Sequence, residues 1–105
     1  YLIGIVTSKD KIRTEMILSS LDFNFHIIST PNKKYRGKPA PDQLLSSISK
    51  MNVDPKQSVF IGDAIVDYYA AMRAQVDFIF ADWGYGVCDS CKNRIKNINE
   101  VSIFL

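Results

Sequence analysis

The sequence predicts an α/β fold in which a parallel sheet lies between two layers of helices, a Rossmann-like three-layer α/β/α arrangement. Short apolar segments that suit buried strands alternate with longer segments in which apolar residues recur at helical spacing. The strand segments are apolar throughout, which is typical of parallel strands covered on both faces. The 105 residues suffice for one domain and are too few for two.

The first half of the chain predicts two strands and two helices. Residues 2–6 and 25–29 are short, apolar segments and are predicted to be strands. The helix between them is predicted to bury an apolar stripe, which consists of Ile12, Met16, Ile17 and Leu21. Pro41 suits the first turn of the second helix, because its missing N–H costs nothing there. Asn52 and a turn at Pro55 are expected to end this helix, whose stripe consists of Leu44, Leu45, Ile48 and Met51.

The second half predicts two further strands, at residues 59–61 and 78–81. The helix between them shows apolar residues at spacings of four, three and four, which predicts a core face made of Ile65, Tyr69, Met72 and Val76. The tail, residues 94–105, is predicted to form a short strand and a last helical turn or two.

Composition and cysteine content exclude several classes of protein. Hydrophobic residues make up 47% and charged residues 23%, so disorder is not expected. The formal charge of +2 indicates no nucleic-acid partner, and no apolar run approaches the ~18 residues that span a membrane. Cys88 and Cys91 form a C-x-x-C pair, which can be redox-active or half of a zinc site. The other half of a zinc site is missing, since His26 is the only histidine, and the pair does not open a helix after a strand as a redox motif would. We expect two incidental loop thiols, whose reduced state would fit a cytoplasmic location.

Two carboxylates follow the strand at residues 59–61. In open parallel sheets, ligands bind at the carboxyl ends of the strands. Asp63 comes after Gly62, and Asp67 follows four residues later, so both carboxylates can face the same side at the start of a helix. Two such groups repel each other unless a cation lies near them, and hard oxygen ligands suit Mg²⁺. The alternative is that Asp63 caps the helix and Asp67 favours its positive end.

Lys38, Thr7 and Ser8 are the other candidates for chemistry. Lys38 lies in a proline-flanked loop that could aim its ammonium group at a phosphate, although a solvated basic loop is the alternative. Thr7 and Ser8 end the first strand with two hydroxyls before a helix, which suits an oxyanion site. Simple helix capping is the alternative for these two residues.

Taken in order, these segments resemble the later motifs of the haloacid dehalogenase superfamily. "LIGIVTSK" resembles motif two, "GKPAPDQLL" motif three and "SVFIGDAIVDYYAAMRA" motif four. "ADWGYG" is similar to a segment of the phosphoglycolate-phosphatase-like branch. The resemblance implies that Thr7, with Ser8, binds phosphoryl oxygens and that Lys38 holds the phosphoryl group and the nucleophile. It also implies that Asp63 ligates Mg²⁺, while Asp67 acts on the metal through water or steadies Lys38.

The chain departs from the family's pattern at motif one. The D-x-D motif that supplies the nucleophile and the general acid/base is absent, as is the cap that selects substrate. Ala64 also stands where the family often has Ser or Thr. Since the sequence does not begin with Met, we expect residues 1–105 to be the C-terminal part of a haloacid-dehalogenase-like core, with the first strand and the cap upstream.

The resemblance implies a cytoplasmic, Mg²⁺-dependent phosphatase that acts on a small phosphorylated metabolite through an aspartyl-phosphate. The alternatives are a phosphomutase of the same branch and a non-catalytic half-domain that acts as a binding or assembly module. Residues 1–105 alone are expected to be inactive. In the family, the motif-one strand separates the strands of motifs two and four, so we expect an upstream segment to fill this position. The two strands could otherwise close up, or a neighbouring molecule could donate a strand.

Overall fold

All the strands that the structure describes pair in parallel, but they form two separate sheets. The computed structural model describes residues 1–84 and 86–105. In the first sheet, β1 (Gly4–Val6) pairs with β2 (Ile27–Ser29). In the second, β4 (Asp77–Ala81) lies between β3 (Val59–Gly62) and β5 (Arg94–Ile95). The α/β class with parallel strands is confirmed, although the strands predicted at 2–6 and 25–29 are each two residues shorter.

A groove of about 380 Å³ lies between the two sheets. Its walls include Val6 of β1 and Val59 and Phe60 of β3, and Leu44 and Ile48 also line it. Since β1 and β3 belong to different sheets, the strands of motifs two and four have not closed up against each other.

The helices are α1 (Lys11–Leu18), α2 (Asp42–Lys50) and α3 (Ile65–Ala74). Two 3₁₀ helices, Pro55–Gln57 and Ile98–Phe104, follow α2 and β5. Asn52 and Gln75 adopt left-handed φ angles of 56° and 59° just after α2 and α3, which is a common way to end a helix. The predicted helix end at Asn52 is therefore confirmed. The tail forms the predicted short strand and helical turns, as β5 and the second 3₁₀ helix. Within the described residues, no helix is long and apolar enough to cross a bilayer.

The main core forms where α2 and α3 meet and is packed against Val6 of the first sheet and Phe60 and Phe78 of the second. Leu44 and Ile48 of α2 pack in one cluster with Ala71, Ala74 and Val76. Burial of Leu44 and Ile48 was predicted, whereas Leu45 is 39% exposed, contrary to the prediction. A second cluster joins Phe80 of β4 to Cys88 and Cys91.

The predicted stripe of α1 is wrong, because its apolar side faces solvent. Ile12 is 73% exposed and Met16 69%, and Ile17 and Leu21 are exposed as well. The helix turns Thr14 inward instead, and the Thr14 hydroxyl donates to the Lys9 carbonyl. In the described part of the chain, no other element covers the apolar side of α1.

The predicted core face of α3 is also wrong except at Val76. Ile65, Tyr69 and Met72 are all exposed, while the buried residues of α3 are Asp67, Ala70, Ala71 and Ala74. Three alanines on this face let the helix approach the sheet closely, and the same orientation carries the Asp67 carboxylate inward.

The two cysteines are not incidental loop thiols, contrary to the expectation. Cys88 and Cys91 form a disulfide, with their Cα atoms 5.5 Å apart, a separation that suits the bond. Both are buried, because the turn that joins them packs against Phe80.

Candidate active site

A buried ion pair lies at the carboxyl end of β3. Asp67, in the first turn of α3, accepts a hydrogen bond at Oδ1 from Nζ of Lys38, at 2.5 Å. The two side chains are 10% and 6% exposed, for Lys38 and Asp67 respectively. The Lys38 ammonium also lies 5.7 Å from the centre of the Phe60 ring, which is close enough for a cation–π contact.

The second carboxylate oxygen of Asp67 is also engaged. Oδ2 accepts the backbone N–H of Ala64 at 3.1 Å, which satisfies one of the free N–H groups at the start of α3. The carboxylate lies over Gly62, where an added Cβ would sit 2.5 Å from Cβ of Asp67. Glycine is therefore required at position 62 by this close approach. With both oxygens held by N–H donors, Asp67 is placed to steady Lys38.

The loop that carries Lys38 is tied down on both sides of the lysine. Nη1 of Arg73, on α3, donates to the Pro39 carbonyl at 2.9 Å. On the other side, Arg36 and Asp42 form a two-pronged ion pair, with Nη2 to Oδ1 at 2.8 Å and Nε to Oδ2 at 3.1 Å. Hydrogen bonding in this pair raises the pKa of Arg36 and lowers the pKa of Asp42. The Lys38–Pro39 peptide is cis.

Arg73 and the Arg36–Asp42 pair were not identified from the sequence. A contact between an arginine and a main-chain carbonyl depends on how α3 approaches the loop, and no local spacing reveals that approach. The six-residue separation of Arg36 and Asp42 across a proline-rich turn was a weak signal for the ion pair.

Asp63, unlike the buried Asp67, is exposed to solvent. It follows β3 directly, and an added Cβ at Gly84 would overlap its side chain. A hard, exposed carboxylate at a strand end fits one ligand position of a Mg²⁺ site, since this ion takes one or two carboxylates and keeps several waters. Among the described residues, no group of three His, Cys, Asp or Glu residues could hold a metal.

Thr7 and Ser8 follow β1, in the other sheet. The Thr7 N–H donates to the Ser29 carbonyl at 3.1 Å, and the Thr7 hydroxyl oxygen accepts the Lys9 N–H at 3.1 Å. Neither residue caps α1, because that position belongs to Asp10, whose Oδ1 accepts the Arg13 N–H. The Thr7 hydroxyl proton remains suited to donation towards an oxyanion.

The structure therefore pairs Lys38 with Asp67 at the start of α3, puts Asp63 directly after β3, and puts Thr7 and Ser8 directly after β1. The family model for "Haloacid dehalogenase-like hydrolase" matches residues 1–81. The chain belongs to this family.

Relatives and solved structures agree with the membership. The chain is 30% identical over 84 residues to the N-acetylmuramic acid 6-phosphate phosphatase of Pseudomonas aeruginosa, a match that covers 78% of this chain and 37% of the relative. It is 31% identical over 87 residues to the phosphoglycolate phosphatase of Nitrosococcus oceani, which covers 81% and 39%. The crystal structure of a HAD phosphatase from Thermococcus onnurineus superposes with a TM-score of 0.85 at 25% identity, covering 99% of this chain and 50% of that one.

The chain spans well under half the length of these two curated relatives. The predicted resemblance to the haloacid dehalogenase superfamily is confirmed by the match of the family model to residues 1–81. The "ADWGYG" segment extends beyond that match, and its Tyr85 lies outside the described residues.

Proposed function

We propose that the full-length protein containing this chain is a cytoplasmic, Mg²⁺-dependent phosphatase that hydrolyses the phosphate monoester of a small metabolite. The observation that carries the proposal is the buried Lys38–Asp67 pair at the start of α3, the helix that follows β3 and the exposed Asp63. A lysine ammonium has three N–H donors, and Asp67 takes one of them, so the others can bind a phosphoryl group. The phosphatases among the similar proteins support the same chemistry.

The residues of this chain divide the work between holding the phosphoryl group and holding a metal. Lys38 binds phosphoryl oxygens as a fixed positive charge, and Asp67 fixes the direction in which it points. Thr7 and Ser8 add hydroxyl donors for the same oxygens. Asp63 holds Mg²⁺, which when bound neutralises negative charge on the phosphoryl group.

The nucleophile belongs to the upstream segment that carries the motif-one strand. Its first Asp attacks phosphorus as the ester P–O bond breaks, and its second Asp protonates the leaving oxygen. Water then attacks the aspartyl-phosphate and releases inorganic phosphate, which restores the carboxylate. Lys38 stays beside the phosphoryl group in both steps, where its charge offsets the charge that develops on the oxygens.

The groove between the two sheets supports the proposal that an upstream segment supplies the nucleophile. Its walls come from β1 and β3, whose carboxyl ends carry Thr7 and Asp63. A strand that enters the groove would satisfy the free hydrogen-bonding edges of both strands and carry its own carboxyl end to the same place.

The test is an assay of the full-length protein on p-nitrophenyl phosphate and on a panel of sugar and small-acid phosphates. We expect inorganic phosphate to be released, the release to stop with EDTA and to return with added Mg²⁺. Transfer of phosphate within a substrate without release would identify a phosphomutase. No turnover on the whole panel would favour the non-catalytic module, and turnover that resists EDTA would contradict the metal assignment.

A further inference from the structure

The disulfide between Cys88 and Cys91 is the chemical feature that the proposed reaction does not use. Both cysteines are buried, at 1% and 7% exposure, and they pack against Phe80. The main chain at Cys88 is held as well, because Arg94 donates to its carbonyl. The Arg94 guanidinium in turn lies 4.9 Å from the centre of the Phe80 ring. The disulfide is therefore anchored to β4 and β5.

The chain just before this anchor lies against the candidate metal ligand. Gly86 precedes Cys88 by two residues, and an added Cβ at Gly86 would overlap the Asp63 carbonyl oxygen and lie 3.1 Å from Cα of Ala64. Residues 86–88 thus run from direct contact with the Asp63 main chain to the disulfide. Whatever changes the bond at Cys88 acts on that contact through a single intervening residue.

A bond at this position does little to stabilise the fold as a whole. A disulfide restrains the unfolded chain more strongly as the loop it closes grows longer, and only Asp89 and Ser90 separate the two cysteines. The protein can therefore be expected to fold with the bond open or closed, which a reversible pair requires.

Cys91 is the less buried of the two cysteines. Cys91 lines an open hollow of about 300 Å³, together with Met72 and Lys92. Lys92, which lines the same hollow, contributes a positive charge that favours the approach of a thiolate, the species that attacks disulfides. Cys88, at 1% exposure, is on the protected side and suits the leaving sulfur.

We propose that Cys88 and Cys91 form a redox-active pair whose disulfide holds residues 86–88 against Asp63 and whose reduction releases them. The reductant is a dithiol. Its thiolate attacks Sγ of Cys91 and the Cys88–Cys91 bond breaks, so that Cys88 leaves as a thiolate and takes up a proton. The second thiol of the reductant then breaks the mixed disulfide, which leaves two Cys thiols and an oxidised reductant. The effect on Asp63 as a metal ligand rests on the proposed function, whereas the redox chemistry does not.

The first test counts thiols in the full-length protein. The protein is equilibrated with dithiothreitol or with oxidised glutathione, then alkylated and analysed by mass spectrometry. We expect Cys88 and Cys91 to be alkylated together after reduction and not at all after oxidation. Alkylation of both under oxidising conditions, or of neither after reduction in the folded state, would overturn the proposal.

The second test follows hydrogen exchange of the same samples. Reduction should raise the exchange of peptides that contain residues 86–88 and Asp63 about tenfold, while peptides from α2 stay unchanged. The Cys88→Ala/Cys91→Ala variant is the matched control and should show the fast exchange in both conditions. Equal exchange in the oxidised and reduced wild-type protein would contradict the proposed release. Neither test measures turnover, so their outcome is independent of whether the phosphatase proposal holds.

Discussion

Lys38 and Asp67 can each be buried only because the other is present. A charge in a protein interior costs several kcal/mol unless a partner of opposite sign compensates it. These two side chains are nearly enclosed, and their direct hydrogen bond supplies that compensation. The pair holds the Lys38 ammonium group at a fixed position, while its net contribution to the stability of the fold is small.

Lys38→Met tests this dependence. The substitution leaves Asp67 buried without its partner, so we expect the free energy of unfolding to fall by about 3 to 5 kcal/mol. In the Lys38→Met/Asp67→Leu double variant most of that loss should return, because no lone charge stays buried. Urea unfolding of the full-length protein measures both, with Lys34→Met, in the exposed part of the same loop, as control. A double variant as unstable as the single one would show that the pair is not self-compensating.

The Lys38 loop depends on ties at its ends, and one of them responds to pH. Hydrogen bonding from Arg36 lowers the pKa of Asp42 in the folded protein below its unfolded value of about 3.9. A lowered pKa means that the folded state prefers the ionised carboxyl, so this stabilisation is present above the unfolded pKa. It is lost as the pH falls through the lowered pKa of Asp42.

The pH dependence of the free energy of unfolding tests the Arg36–Asp42 ion pair. In Asp42→Asn the drop in stability below about pH 4 should be shallower than in the wild type, because one group that must be protonated is missing. Asp54, whose carboxylate caps the 3₁₀ helix Pro55–Gln57, provides the control: Asp54→Asn reports the effect of removing an acid group outside the Arg36–Asp42 pair. Identical slopes for Asp42→Asn and the wild type would show that the Arg36–Asp42 pair is open in solution.

Helix faces were harder to predict than strands. The strands could be predicted because a short, uninterrupted apolar segment between polar turns is typical of a buried strand. The bounds of β3 and β4 lie within one residue of those predicted. For α1 and α3 the spacing located apolar stripes, but spacing does not say what covers a stripe. In α3 the alanine face and Asp67 go inward, because small side chains permit close packing that larger ones would prevent.

Substitutions in α1 and α2 distinguish an exposed stripe from a buried one. Ile12→Ala in the exposed stripe of α1 should change the free energy of unfolding by no more than about 0.5 kcal/mol in residues 1–105. Leu44→Ala in the core should cost about 2 to 5 kcal/mol. Denaturant melts of the 105-residue chain provide both values. A loss at Ile12 as large as that at Leu44 would mean that the stripe packs against the chain in solution.

At the scale of the whole molecule, the candidate site residues are distributed over two sheets. Asp63 follows β3 and the Lys38–Asp67 pair lies at the start of α3, while Thr7 and Ser8 follow β1, and the groove separates the two strands. The family was recognised from the sequence because the order of the motif-like segments along the chain is specific. The sequence predicted that a strand is missing between those of motifs two and four, but not that the remaining strands form two sheets. Strand pairing depends on segments that are distant in sequence, so local patterns do not reveal it.

The division predicts that residues 1–105 alone release no phosphate from p-nitrophenyl phosphate. In the proposed mechanism, Lys38 holds the phosphoryl group and Asp63 the metal, while the attacking carboxylate comes from the motif-one strand. Co-expression with an upstream segment that carries D-x-D should produce turnover, and the same segment with its first Asp changed to Asn should not. Phosphate release by residues 1–105 alone would show that the nucleophile lies within them.

The central claim is that the carboxyl end of β3 is the catalytic end of the molecule, and the rate of phosphate release by Asp63→Asn tests it most directly. Asp82 is the matched control, since it also follows a strand and its side chain is exposed. In the full-length protein with Mg²⁺, Asp63→Asn should lower kcat by about a hundredfold or more, with the circular dichroism spectrum unchanged. Asp82→Asn should stay close to the wild-type rate. Equal losses at the two positions, or full activity in Asp63→Asn, would contradict the assignment.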